Sequence, residues 1–376
     1  MRVLLSCLLL TMATAQAAPP GVIHLPPEAL VPDAVADAHG TLHLVYGTTD
    51  KQAYYAQSTD NGGTFTPRVK LNDELGVTTT MGERGPKLAL GADGEIHVVW
   101  QDLWKPGVQT YVRYTRSLDG GRTFAPPQAA SPMPGCDGAT LAADAQGHVA
   151  VFWHVMAEPK PVEKQATWLY GRQSSDHGAT FGDAARLAID GLSSVACSMC
   201  LMRAHIADGM VALCFRSAAD DIRDFWVLRA PVGQNQFRPV RVNDDRWQID
   251  FCPMCGPEMT AAPDGGWLVA FMSRHRVYWS AAPRALDAFA GHVATPAPEA
   301  DEIYPCAVRN RHGDVLFVWQ VGPMAVDRTA TVKWALYAAD GKPTGEAGVF
   351  GQTTSGTKPT AFVGADDRFY VLTTAR

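Results

Sequence analysis

The chain reads as an all-β protein, a β-propeller of four-stranded antiparallel blades, and three observations carry that expectation. An octapeptide of pattern Ser-x-Asp-x-Gly-x-Thr-Phe occurs three times. A looser strand–turn–strand unit occurs seven times. No segment keeps the 3.6-residue hydrophobic periodicity of a long helix.

The octapeptides occupy residues 58–65, 117–124 and 174–181. Their aspartates, Asp60, Asp119 and Asp176, fall 59 and 57 residues apart, which marks a repeated structural unit and not one active site. Each aspartate is suited to accept bonds from turn amides. Gly62, Gly121 and Gly178 supply a positive φ, and Phe65, Phe124 and Phe181 plug the gap toward the next sheet.

The looser unit spans residues 32–46, 86–100, 139–153, 201–215, 257–271, 305–319 and 359–373. Each copy is a short strand, an Asp/Gly turn and a strongly apolar strand. Further short strands, at 52–57, 110–115, 167–172, 225–230 and 277–280, supply a third member, and the octapeptides lead from third strand to fourth. Second strands such as 211–215 are apolar on both faces, as sheets sandwiched between neighbours require. Four-stranded sheets at this spacing define a propeller. The last pair lacks outer strands, and a strand over 21–25 would close it. Seven blades are expected, with six as the alternative.

Composition sets the class. Of 376 residues, 47% are hydrophobic and 19% charged, an ordinary globular balance, and 34 glycines with 26 prolines suit many tight turns. A formal net charge of −6 without basic clusters argues against nucleic-acid binding. Residues 1–17 have the charged, apolar and small-x-small parts of a secretory signal, with cleavage expected after Ala17 and a single domain over 18–376. A lipoprotein signal ending at Cys7 is disfavoured, because too few apolar residues precede that cysteine. No later stretch approaches the ~20 apolar residues of a membrane span. The expectation is an exported monomer, periplasmic or secreted, where disulfides persist.

In a propeller, loops entering the first strand and leaving the second share one face, opposite the octapeptide turns. A small-molecule, glycan or protein ligand is expected there. Of eight cysteines, Cys7 leaves with the signal and Cys214 lies in a buried-looking strand. Cys136, Cys197, Cys200, Cys252, Cys255 and Cys306 fall near the starts of the third to sixth inner strands, so adjacent blades would gather them into one arc. Two sites are Cys-x-Met-Cys, containing Met199 and Met254. Met202 and Met259 follow, and His154 and His275 end second strands on the same face. This set suits structural disulfides, a soft metal such as copper or zinc, or redox exchange, and the spacing leaves all three open.

The octapeptides resemble the Asp box, or BNR repeat, of the sialidase superfamily. That resemblance covers the mature chain and implies the propeller fold. It also implies an arginine triad gripping a carboxylate, a tyrosine nucleophile assisted by a glutamate, and an aspartic acid. Tyr304 matches the nucleophile, Arg216 the second arginine, Arg274 the third, and Asp102 lies at a strand end suited to the acid. The family's first arginine would fall at Leu30, leaving Arg84 as a stand-in, and its glutamate would fall at Cys200. Among other clusters, residues 220–224 carry three aspartates beside Arg223, and Trp104, Trp247 and Trp267 suit either sugar stacking or packing between sheets. The foremost expectation is a binding protein with a disulfide or soft-metal centre. An exo-acting hydrolase of the sialidase type and an interaction scaffold are the alternatives.

Overall fold

The computed structural model describes residues 18–26, 28–73, 76–77, 83–92, 94–103, 109–156, 160–323, 329–354 and 358–374. The expected signal segment, with Cys7 and Ala17, and Trp104 lie outside the described residues.

Seven sheets form, and each of the seven sequence units supplies the first two strands of one. Blade 1 runs Ala29–Ala36, Leu42–Thr48, Ala53–Ser58 and Val69–Lys70, and blade 2 runs Lys87–Leu90, Ile96–Gln101, Val112–Ser117 and Gln128–Ala129. Blade 3 holds Cys136–Ala143, Val149–Val155, Ala166–Ser174 and Ala185–Arg186, with Val195–Cys197 added beside the third strand. Blade 4 comprises Arg203–Ala207, Met210–Arg216, Phe225–Pro231 and Gln236–Arg241, edged by Ala188–Ile189. Blade 5 is Glu258–Ala261, Trp267–Ser273, Arg276–Ala282 and Val293–Ala294, and blade 6 is Glu302–Arg309, Val315–Val321, Thr329–Tyr337 and Pro343–Thr354. Blade 7 has three strands among the described residues: Thr360–Val363, Phe369–Thr373 and, parallel to the latter, Gly21–His24. The N-terminal strand thus completes the last sheet, and the blade number is seven.

Three second strands, Leu42–Thr48, Val149–Val155 and Trp267–Ser273, are buried along their whole length, because a neighbouring blade covers each face. Burial of these Val, Leu, Phe and Trp side chains, at ~25 cal/mol per Å² of apolar area, is what drives the blades together. Each junction has its own apolar cluster. Val45 and Tyr55 meet Val98 and Trp100 between blades 1 and 2, and the series continues round to Ile23, Phe362 and Leu372 against Leu42 and Leu44. Seven such clusters link the seven blades into a closed ring.

The three octapeptides fold into the same hydrogen-bonded turn. In the first, Thr64 donates its amide to Asp60 Oδ1 at 2.8 Å and its hydroxyl to Asp60 Oδ2 at 2.8 Å, while the Gly62 amide donates to Ser58 Oγ at 2.8 Å. The turns at Asp119 and Asp176 repeat this set. Hydrogen bonds from Ser58 and Thr64 hold the Asp60 carboxyl down at about 2. Gly62, Gly121 and Gly178 have φ of 85°, 84° and 70°. A Cβ on Gly121 would collide with the Tyr55 ring of the preceding blade, and one on Gly178 with the Tyr114 hydroxyl. Tyr55 and Tyr114 are themselves held by His43 Nδ1 at 2.8 Å and His97 Nδ1 at 2.6 Å. The turns at Asp119 and Asp176 therefore lock blades 2 and 3 each to the one before it.

Candidate functional site: a three-sulfur centre on one face

Blades 3, 4 and 5 bring together three of the six cysteines. Cys197 ends the added strand of blade 3, paired opposite Ala166, while Cys200 lies in the loop entering blade 4 and Cys252 in the loop entering blade 5. Their sulfurs are 3.1 Å (Cys197–Cys252), 3.5 Å (Cys197–Cys200) and 3.6 Å (Cys200–Cys252) apart. All three are buried, in a small cluster with Val195 and Ala218. Ala166, Trp168, Met199 and Met254 are its partly exposed wall.

These separations are far beyond the ~2.05 Å of a disulfide. All seven described cysteines are free thiols, so the structure provides no disulfide among the described residues. They lie close to the sulfur–sulfur spacing around one metal ion. With metal–sulfur bonds of ~2.3 Å, three ligands stand roughly 3.8–4.0 Å apart, so the two Cys200 pairs would open by a few tenths of an ångström and the Cys197–Cys252 pair by about 0.7 Å or more to admit the ion. Burial pushes the Cys197 and Cys200 thiols up, whereas hydrogen bonds from those two thiols hold Cys252 well below the usual thiol range. The three sulfurs thus form one mutually hydrogen-bonded cluster, in which Cys197 donates to Cys252 and Cys200 donates to Cys197.

The expected six-cysteine arc divides. Cys255 belongs to the core between blades 5 and 6, where its sulfur accepts from the Tyr304 amide at 3.4 Å. Cys136 packs between blades 2 and 3 and Cys306 between blades 6 and 7. The reason is geometric: Cys136 and Cys306 lie on inner strands, whose side chains point from the two sheet faces into the junctions with neighbouring blades, whereas Cys197, Cys200 and Cys252 lie outside the inner strands. Cys214 is buried between blades 4 and 5 as expected. Met202 and Met259 are likewise core residues. His154 uses both ring nitrogens, on the Cys200 carbonyl at 3.0 Å and the Thr167 hydroxyl at 2.9 Å, which removes it as a ligand while anchoring the Cys200 loop. His275 stacks edge-on against Trp247 at 5.5 Å.

The residues aligned to sialidase chemistry have partners of their own. Arg216, 1% exposed, donates to the carbonyls of Arg223 (3.0 Å), Cys255 (2.8 Å) and Met272 (2.7 Å), and its guanidinium lies 4.1 Å over the Phe225 ring. Its charge also favours the Cys197 thiolate. Arg84 forms a two-pronged pair with Asp137, with Nε to Oδ1 at 2.8 Å. Asp102 accepts Arg113 Nε at 3.0 Å on both oxygens. Arg274 is exposed and donates to the Asp245 carbonyl at 2.6 Å. Tyr304 is 3% exposed, and burial pushes its phenol well above the usual range. Arg223, itself buried, ties Asp221 at 3.2 Å and the Lys164 carbonyl at 2.9 Å, so the 220–224 cluster is pinned to the blade. Trp247 and Trp267 fill inter-blade cores.

Sequence reasoning missed a charged plug across the channel. Arg203 bridges Asp33 at 2.6 Å and Glu258 at 2.6 Å, Lys358 reaches Glu258 at 2.7 Å, and Lys87 is buried beside them. Arg203 and Lys87 outweigh burial to hold Asp33 at about 2, while burial and the charge of Arg203 push Lys87 down to about 8. The signal was present: a charged residue flanks the repeat proline in Pro32-Asp33, Pro86-Lys87, Pro257-Glu258 and Lys358-Pro359. Beyond the plug, inner strands of all seven blades line a cavity of about 490 Å³.

No family model matches this chain, and no curated protein matches it in sequence. Solved structures do match in fold. A Penicillium chrysogenum alpha-L-arabinanase is 12% identical with a TM-score of 0.52, over 84% of this chain and 95% of that one. The Hadza microbial sialidase Hz136 is 14% identical with a TM-score of 0.50, over 92% and 66% respectively. An Aleuria aurantia lectin is 9% identical with a TM-score of 0.50, over 89% and 98%. The class is thus a seven-bladed β-propeller with a fold like that of sialidases, arabinanases and lectins. No helix among the described residues is long and apolar enough to cross a membrane.

Proposed function

We propose that this propeller binds a soft metal ion, copper(I) foremost, at Cys197, Cys200 and Cys252. The observation that carries the reading is the convergence of three buried sulfurs, from loops of different blades, to within 3.6 Å of one another. Three thiolates without a fourth protein ligand suit trigonal copper(I) better than zinc, whose structural sites take four. The neighbouring thioethers of Met199 and Met254 are soft donors too, on partly buried side chains packed against the cluster. The Arg216 guanidinium offsets part of the negative charge that three thiolates would bring. In an exported protein, the function would be to hold or hand on copper at the ring's face.

Anaerobic titration with copper(I) against a chromophoric chelator tests this. One equivalent is expected to bind wild type, with an X-ray absorption signature of three sulfur ligands. Cys197→Ser should weaken binding by roughly a hundredfold. Wild type that leaves all copper with the chelator would sink the reading.

A hydrolase of the sialidase type remains the second reading, supported by likeness of fold. Its nucleophile would be a tyrosine buried between blades 5 and 6, and its second arginine one already bonded to three carbonyls. A fluorogenic sialoside is expected to show no turnover that Tyr304→Phe removes.

A further inference from the structure

Glu83 lies in the connection between blades 1 and 2 and is 1% exposed, yet its carboxylate reaches loops of blades 4 and 5. Oε1 accepts the Leu201 amide at 2.8 Å and the Gly256 amide at 2.7 Å, and Oε2 accepts the Gly256 amide at 2.8 Å. Those amides belong to the residues immediately after Cys200 and Cys255, the ends of the two Cys-x-Met-Cys segments. One side chain therefore fastens the exits of both sulfur-bearing loops. The loops also touch each other there, since a Cβ on Gly256 would collide with the Leu201 carbonyl. No β-ladder joins the two segments among the described residues. His154 holds the Cys200 carbonyl and Arg216 the Cys255 carbonyl, each fastening one loop, whereas the Glu83 carboxylate bonds to both.

We propose that Glu83 is a positioning residue of the metal centre: its carboxylate sets the register of the two Cys-x-Met-Cys loops so that Cys197 and Cys200 from one and Cys252 from the other converge on a single ion. The inference rests on the copper(I) reading above. A buried carboxylate is costly unless its oxygens are satisfied by hydrogen bonds, and here the donors are the two amides whose spacing decides whether Cys252 meets its partners. Register is the quantity at issue because a shift of about 1 Å in one loop would take its sulfur out of bonding range of an ion held by the other two.

Two conservative variants separate geometry from charge. Glu83→Gln keeps an oxygen able to accept both amides and loses the charge. Glu83→Asp keeps the charge but is one methylene too short to reach both loops. Each is measured for copper(I) affinity by chelator competition, sulfur coordination number by X-ray absorption, and thermal midpoint. Glu83→Gln is expected within threefold of wild-type affinity with three sulfur ligands. Glu83→Asp is expected to bind at least tenfold more weakly, with two sulfur ligands, while remaining folded. Three-sulfur binding at wild-type affinity in Glu83→Asp would overturn the proposal. So would loss of the third sulfur in a folded Glu83→Gln, which decides the matter if the Asp variant does not fold. Failure of wild type to take up copper(I) overturns the centre itself, and is read separately from either variant.

Discussion

Arg216 and Cys255 show why a residue's chemistry depends on direction as much as on height around the ring. Cys255 shares a motif with Cys252, yet its sulfur faces the core between blades 5 and 6 while that of Cys252 faces Cys197. Cys136→Ser and Cys306→Ser are accordingly expected to leave copper(I) stoichiometry and affinity unchanged, as measured by the same competition titration. Arg216→Leu should destabilise the fold by about 3 kcal/mol or more in denaturant titration, because three buried carbonyls lose their donor. The sequence placed all six cysteines near one height and marked Cys-x-Met-Cys as the chemical signal, and three of the four motif cysteines do meet. It could not show which side chain points inward, since strand entry and left-handed residues such as Met254, with φ of 48°, reset the alternation locally. Glu83 was illegible for another reason. Its partners are backbone amides more than a hundred residues away, and no side-chain pattern advertises them.

At the scale of the element, the octapeptide turn couples a local rule to a neighbour. Its glycine needs a positive φ and leaves no room for a Cβ against the preceding blade, at Ile23, Tyr55 and Tyr114 in turn. Gly178→Ala is therefore expected to cost about 2–4 kcal/mol, from backbone strain together with collision at Tyr114, and to lower the denaturant midpoint without changing metal stoichiometry. The same alanine placed at Gly120, where a Cβ meets nothing within 4 Å, should cost much less despite its φ of 74°. Strands were the most legible part of the chain. Apolar second strands and Asp/Gly turns located all seven pairs, because burial on both faces leaves an uninterrupted hydrophobic run. The outer strands of blade 6, Thr329–Tyr337 and Pro343–Thr354, were not located in the sequence, and no octapeptide lies between them.

For the molecule as a whole, the charged plug makes stability depend on pH in two windows. Asp33 titrates near 2 in the folded protein against 3.8 as its ordinary value, so its contribution is present above pH 4 and lost as pH falls toward 2. That contribution is about 2 kcal/mol. Lys87 behaves oppositely: its folded value of about 8 lies below the ordinary 10.5, so between these limits the unfolded chain binds more protons and stability rises with pH. Across pH 8 to 10 the denaturant midpoint of wild type should therefore rise relative to that of Lys87→Met, which removes the buried ammonium and leaves the buried thiols common to both. The ring closes at the seam where Gly21–His24 lies parallel to Phe369–Thr373. That pairing joins residues about 350 apart in the chain, so the circle cannot finish until the strand Phe369–Thr373 has been made. Until then the blades at the two ends of the open arc each keep one flank uncovered, and high contact order of this kind makes assembly slow.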